Sequence, residues 1–357
     1  MCLALLFASI WLLAGFHRAP KPSECPKECA CSGEFRSCFY SASPQQLKAD
    51  AALAQIPVLT LQNLGSIRFG NGTGQDRLDR GYAVAVDTLG RIHAIDVASH
   101  TMHVFDDTGR PLWLGSYSKH FGRERYPALM IKVTSSGDTW VELEVDVKPG
   151  YRDMSLLGPK YVHFGPSGKF LGVEQIRFEG DTWWHWLPQP DGGLRWLINH
   201  KKILLVDAHD AVLRSITWPN GEDFEDTSAV AQDGSLAVVM ERPRKNFHRM
   251  PTLKPPELVA AIFSPHGDAV SEWPLPFHPN SYPRIAFDDR HLAFVVLDNI
   301  ESGHQAILVT DARGKGLFRI PISADASIGK VFLLSRPSGE ELWVWSDKVI
   351  DRYAMPK

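Results

Sequence analysis

The stretch from Gly81 to Gly115, GYAVAVDTLGRIHAIDVASHTMHVFDDTGRPLWLG, contains four short apolar segments separated by tight turns. YAVAV and RIHAID flank the turn DTLG, and MHVF and PLWL flank the turn DDTG. Apolar segments with period-two alternation, bounded by Asp and Gly, indicate an antiparallel meander. One meander of this size cannot bury both of its faces, so the stretch predicts further units of the same kind beside it.

Both turns of this unit recur along the chain, about every 50 residues, with apolar segments on either side. The first turn recurs as DTLG (87–90), SSGD (135–138), PDGG (190–193), QDGS (232–235), DDRH (288–291) and PSGE (337–340). The second turn recurs as DDTG (106–109), GPSG (165–168), DAHD (207–210), SPHG (264–267) and DARG (311–314). A repeat of this period and content predicts an all-β protein, a six-bladed β-propeller with four-stranded antiparallel blades.

The sixth unit is too short for a fourth strand, because only KVIDRYAM follows ELWVWSD near the C-terminus. The segment PVLTLQNLG (57–65), just before the first unit, reads as a strand with no other partner. We therefore expect this N-terminal strand to complete the last blade and close the ring, which removes an exposed sheet edge. The propeller then spans residues 57–357.

The first unit resembles an NHL repeat, the module of a family of six-bladed propellers. The resemblance rests on VAVDTLGRIHAIDVASHTMHVFDDTGRPL (84–112), which has the family's Asp–x–x–Gly turn between strands, the Asp after the second strand, the V-F strand and the D-x-x-G turn. The other five units match in turns and spacing but poorly in residues. The resemblance implies a binding scaffold, although some relatives are metal-dependent lyases or hydrolases, and fold alone does not choose between these.

Two N-terminal segments differ from the rest. Residues 1–16 are apolar and shorter than the roughly 20 residues of a membrane span, which predicts a signal peptide or, if it is retained, a membrane anchor. Residues 17–56 form a cysteine-containing segment and linker with Cys25, Cys29, Cys31 and Cys38. In an exported protein these cysteines favour two disulfides, while a four-thiolate zinc or iron–sulfur site is the alternative.

Candidate metal ligands follow the second strand of each unit. Five carboxylates and one amide stand there: Asp96, Glu144, Asn199, Glu241, Asp298 and Asp347. If all six side chains met at the mouth of the central channel, their oxygens would suit calcium or another divalent cation. Each acid could instead cap the turn that follows it by accepting backbone N–H bonds, and this local role needs no ligand.

Two long segments, 145–160 and 242–256, are expected on the same face, on either side of blade three. The second carries a basic cluster that could bind a carboxylate, a phosphate or an acidic partner surface: Arg242, Arg244, Lys245, His248 and Arg249. Blade three begins with Trp183, Trp184 and His185, aromatic side chains that could stack on a ligand or pack between blades.

These features predict an extracytoplasmic binding or protein-interaction module that holds a protein or a small acidic ligand on this face. The alternative is a hydrolase or lyase with a divalent cation at the channel mouth and His185 or His248 as proton carrier. A membrane-tethered subunit of a larger complex is a third possibility. The formal net charge of −3 argues against a nucleic-acid partner. No nucleophile elbow, Walker-type loop or dinucleotide glycine motif is present in the sequence, so the catalytic residues are unknown.

Overall fold

The architecture comes from a computed structural model. It describes residues 51, 53–70, 72, 77–78, 81–121, 128–134, 136–143, 160–175, 185–189, 193–198, 202–217, 228–242, 257–275, 284–288, 290–299, 304–322, 328–346 and 348–356. The predicted disulfide or metal site at the clustered cysteines, and the predicted signal peptide or anchor, lie outside these residues. Among the described residues, no helix is both long and apolar enough to cross a membrane.

The described strands form six four-stranded antiparallel sheets, as the sequence predicts. Blade one contains β2 (Gly81–Val86), β3 (Ile92–Asp96), β4 (Thr101–Phe105) and β5 (Pro111–Ser116). Blade two contains β6 (Ala128–Val133), β7 (Thr139–Leu143), β8 (Lys160–Phe164) and β9 (Phe170–Gln175). Blade three contains β10 (His185–Pro188), β11 (Leu194–Ile198), β12 (Lys202–Asp207) and β13 (Val212–Thr217).

The second half of the ring repeats this order. Blade four contains β14 (Ser228–Val230), β15 (Leu236–Arg242), β16 (Glu257–Phe263) and β17 (Ala269–Pro274). Blade five contains β18 (Arg284–Phe287), β19 (His291–Asn299), β20 (His304–Asp311) and β21 (Gly316–Ile322). Blade six contains β22 (Lys330–Arg336), β23 (Gly339–Ser346), β24 (Val349–Ala354) and, as its outermost strand, β1 (Gln62–Arg68).

The Asp/Gly turns that the structure describes in full form as expected, and the turn between β4 and β5 shows why. The amide of Gly109 donates to the carbonyl of Asp106 at 3.0 Å, and Gly109 has a φ of 85°, a conformation that favours glycine. The Asp106 carboxylate caps the turn by accepting from the amides of Thr108 and Arg110. Burial alone would raise the pKa of Asp106, but bonds from the Thr108 hydroxyl and these amides lower it to about 2.

Apolar side chains between neighbouring blades form the core. Between blades one and two, Ile95 and Val104 pack with Val141 and Val162, and all four are fully buried. Between blades five and six, Ala293 and Val309 belong to the same buried cluster as Leu342. Because the second strands of the blades are buried on both sheet faces, whereas outermost strands such as β13 are largely exposed, apolar residues follow one another in segments such as LAVV (236–239) of β15.

The N-terminal strand closes the ring, as expected, but it begins later than predicted. The sequence placed it at 57–65, whereas β1 spans Gln62–Arg68 and pairs antiparallel with β24, with Ile67 opposite Ile350. The apolar start of the predicted segment has another partner, because Val58 forms a parallel bridge with Arg319 on β21. The amide of Leu59 donates to the Arg319 carbonyl at 3.0 Å, and the Arg319 amide donates to the Pro57 carbonyl at 2.9 Å.

The segment just before β1 also contacts the propeller. Leu53 is 2% exposed and lies in the apolar cluster between blades four and five. Ile56 packs against the same cluster, and Leu61 is buried between blades five and six. Residues 53–61 therefore form a strap that crosses blade five before the chain enters blade six.

Candidate functional site

The blades define two faces. The connections between second and third strands, together with the links between blades, lie on one face, which we call the loop face. The turns between first and second strands and between third and fourth strands lie on the opposite face, the turn face. The first strands lie closest to the axis, since they line a central cavity of about 200 Å³.

Most of the cavity's described lining residues are apolar, and the others are two lysines and one serine: Lys132, Lys330 and Ser228. The Lys132 side chain is 6% exposed, and its ammonium group donates to the carbonyl of Trp186 and lies 3.6 Å from Glu142. The Glu142 carboxylate and the Trp186 carbonyl balance the positive charge of Lys132. These contacts hold the ammonium group between blades two and three.

Aromatic packing between blades two and three holds Trp186 in the interior. Trp186 is 1% exposed, and its ring lies edge-on to Trp140 with 4.8 Å between centroids. Trp140 in turn stacks on His163 at 4.1 Å. Trp186 therefore packs between blades two and three rather than presenting its ring to a ligand.

Two of the predicted ligand-binding residues are described, and both lie at strand ends on the loop face. Arg242 is the last residue of β15, and His185 is the first residue of β10, although only their backbones are described. The other candidates are outside the described residues: Trp183, Trp184, Arg244, Lys245, His248 and Arg249.

The predicted carboxylate ring is described in full at one position, Asp96. Its side chain accepts hydrogen bonds from the amides of Ala98 at 2.9 Å and Ser99 at 3.4 Å, so it caps the turn after β3. Asp96 is 1% exposed. Glu241 and Asp298 lie near the ends of β15 and β19, with side chains that are not described, and Glu144, Asn199 and Asp347 lie outside the described residues. A cation at this ring stays a prediction.

A second group of potential metal ligands lies on the turn face, where the sequence showed only turns. Asp288, His291 and Glu340 each offer one ligand atom, and these atoms lie within 4.8 Å of one another. Asp288 directly follows the first strand of blade five, His291 begins its second strand, and Glu340 is the second residue of β23 in blade six. The packing of blade five against blade six therefore brings the group together.

Hydrogen bonds fix most of this cluster. Oδ1 of Asp288 accepts from the amides of Arg290 at 2.8 Å and His291 at 2.6 Å. Nδ1 of His291 lies 3.0 Å from Oε1 of Glu340, and the Arg290 guanidinium donates to Oε2 of Glu340 at 3.1 Å. The carboxylates of Asp288 and Glu340 raise the pKa of His291 to about 9. Burial, together with Asp288, raises the pKa of Glu340.

A corresponding arrangement joins blades one and two at the turn face. Nε2 of His93 lies 3.3 Å from Oδ2 of Asp87, and Nδ1 lies 2.9 Å from the hydroxyl of Thr139 on blade two. All three side chains are buried, and burial lowers the pKa of His93 despite the nearby carboxylate. The line Asp87–His93–Thr139 has the residue types of a nucleophilic triad, but its burial keeps Thr139 from any substrate.

Comparisons with known proteins add no family. No protein-family model matches the chain, and no curated protein matches it. A virginiamycin B lyase from Staphylococcus aureus has a similar structure at 13% identity and a TM-score of 0.44, over 83% of this chain and 100% of that one.

Two further solved structures are similar at the same level. A chain of a mitotic checkpoint complex matches at 12% identity and a TM-score of 0.46, over 84% of this chain and 98% of that one. A protein of unknown function from Bacteroides caccae matches at 11% identity and a TM-score of 0.40, over 68% and 82%. With TM-scores below 0.5, these likenesses carry no argument about family or function.

Proposed function

We propose that the chain is an extracytoplasmic binding module of the NHL-like type, which holds an acidic protein surface or a small acidic ligand on its loop face. One observation carries the proposal. β7 ends at Leu143 and β8 begins at Lys160, while β15 ends at Arg242 and β16 begins at Glu257, so two long connections leave the loop face on either side of blade three. Long loops on a rigid scaffold are where binding residues concentrate.

The other connections between second and third strands are short, which distinguishes this pair from them. β3 and β4 are joined through residues 97–100, and β11 and β12 through 199–201. β19 and β20 are joined through 300–303, and β23 and β24 through 347–348. Short connections of this kind present few side chains, whereas 243–256 carries every residue of the basic cluster except Arg242, which ends β15.

The charge of that connection supports an acidic ligand. The segment 242–249 contains Arg242, Arg244, Lys245, His248 and Arg249 with no acidic residue among them, in a chain whose overall formal charge is −3. Arginine side chains bind carboxylates and phosphates through two parallel hydrogen bonds. A basic segment on an otherwise slightly acidic protein also speeds the approach of an acidic partner.

Site-specific photo-crosslinking tests the proposal. A photoreactive amino acid at Lys245 in the full chain should give a discrete adduct in cells, and the same group at Thr108 on the turn face should not. Substituting Arg242, Arg244 and Arg249 by glutamate should remove the adduct. For a small ligand, calorimetric titration with citrate, a tricarboxylate, should show binding that the same variant loses. Equal adducts from both faces, or no dependence on the arginines in either experiment, would contradict the proposal.

A further inference from the structure

One carboxylate oxygen of the cluster on the turn face has no hydrogen-bond partner in the part of the chain that the structure describes. Oδ2 of Asp288 is buried and has no hydrogen-bond partner among the described residues, although Oδ1 of the same group accepts two backbone amides. The Asp288 side chain is 8% exposed. A buried charged oxygen without a partner is costly and indicates an unaccounted ligand, such as an ion or a water molecule.

Two other potential metal ligands share the cluster with Asp288. His291 and Glu340 each place a ligand atom within 4.8 Å of the other two residues' atoms, and their side chains are 20% and 6% exposed. We propose that Asp288, His291 and Glu340 bind one divalent first-row transition-metal ion, such as Mn²⁺ or Zn²⁺, which joins blade five to blade six.

The donor set selects this class of ion. One imidazole and two carboxylates suit manganese, iron or zinc. Calcium prefers six to eight oxygen ligands, so a set of three that includes a nitrogen suits it poorly. This site is therefore distinct in chemistry from the oxygen-rich ring expected around Asp96. It also lies on the opposite face of the propeller and does not depend on the proposed ligand-binding loops.

Modest side-chain movement would complete the site. Two ligands of a tetrahedral ion at about 2.1 Å are about 3.4 Å apart, so the ligand atoms, which lie within 4.8 Å of one another, need to approach by up to about 1.4 Å. Glu340 can rotate about its side-chain torsions, while Asp288 and His291 are held by the short turn between β18 and β19. The Arg290 side chain is 57% exposed, so it can turn toward solvent and free the Glu340 carboxylate when the ion binds.

Titration with Mn²⁺ tests the proposal, because thiolates favour softer ions and the clustered cysteines then compete little. The purified full chain, freed of metal with chelator and desalted, should bind one Mn²⁺ per molecule by calorimetry, with a higher melting temperature. Asp288→Asn and Glu340→Gln should each weaken binding at least tenfold. Asn retains an oxygen for the amides of the turn, so Asp288→Asn should keep its fold by circular dichroism.

His163→Gln is the matched control. His163 also lies between two carboxylates, but they contact opposite ring nitrogens, Asp138 at Nε2 and Glu174 at Nδ1, so the three cannot bind one ion together. This variant should bind Mn²⁺ like the wild type. The proposal is overturned if the folded wild type shows no saturable binding, or if Asp288→Asn and Glu340→Gln bind as the wild type does.

Discussion

The indole ring of Trp113 in blade one lies against Gly168 in the last turn of blade two. Nε1 of Trp113 donates to the carbonyl of Pro166 in that turn at 3.1 Å. A Cβ added to Gly168 would lie 2.7 Å from the Trp113 ring, and Gly168 has a φ of 81°. A Cβ added to Gly314 of blade five would likewise overlap the ring of Trp273 in blade four. The turn glycines thus both permit the left-handed turn and leave room for the neighbouring blade.

Gly168→Ala should lower the free energy of unfolding by about 2–3 kcal/mol, because alanine is strained in this conformation and its methyl group displaces Trp113. Urea denaturation followed by tryptophan fluorescence measures the change. Gly172→Ala in β9 is the control, since no atom lies within 4 Å of the position its Cβ would take. Equal stability of the two variants would show that the Trp113 contact does not constrain the turn.

The strap gives a second prediction. Leu53→Ala should destabilise the protein by about 2–4 kcal/mol, because it opens a cavity in the cluster between blades four and five. Val58→Ala is the control, since Val58 is 54% exposed and contributes backbone pairing rather than buried surface. The measurement is the urea midpoint of each variant. Wild-type stability of Leu53→Ala would mean that residues before β1 do not belong to the folded unit.

The sequence predicts the blades because their turns are local. An Asp accepts amides within four residues and a glycine follows, so the signal repeats wherever the structure does. The closing strand is harder to place, since only Ile67 of β1 is buried and the segment lacks an alternating apolar pattern. The segment PVLTL (57–61) is more apolar, so the sequence predicts the closing strand there, although these residues contact blade five instead.

The turn-face cluster could not be assembled from sequence. His291 and Glu340 are 49 positions apart and meet only through the packing of one blade against the next. One local signal was present, because DDRH is the only first turn without a glycine. That difference marks blade five as unusual, but it does not identify Glu340 as the partner across the seam.

The role of Asp96 gives a third prediction, which separates turn capping from calcium binding. As a cap, Asp96→Asn should cost little, whereas Asp96→Ala should cost about 1–2 kcal/mol through loss of the bonds to Ala98 and Ser99. Calcium should leave the melting temperature of the chelator-treated wild type unchanged. A calcium-dependent rise that Asp96→Asn abolishes would instead place the cation at the carboxylate ring and favour the hydrolase or lyase.

The buried His93 predicts a pH dependence. Burial lowers the pKa of His93 in the folded protein below its ordinary value near 6.5, and Arg91 acts in the same direction against the opposing carboxylate of Asp87. Below about pH 6.5, the unfolded chain binds a proton that the folded protein excludes, so the free energy of unfolding falls as pH decreases. The slope due to one proton is at most about 1.4 kcal/mol per pH unit.

His93→Gln should therefore be less stable than the wild type at pH 7, where it loses the link to Thr139, but should lose less stability between pH 7 and pH 5. Urea denaturation at pH 7, 6 and 5 gives both slopes, and their difference isolates His93 from the other histidines. Asp87 does not interfere in this range, since its lowered pKa makes its own contribution disappear only at more acidic pH. Equal slopes of unfolding free energy against pH in the two proteins would mean that His93 accepts a proton within the folded protein. Water would then have to reach the Asp87–His93–Thr139 line between blades one and two.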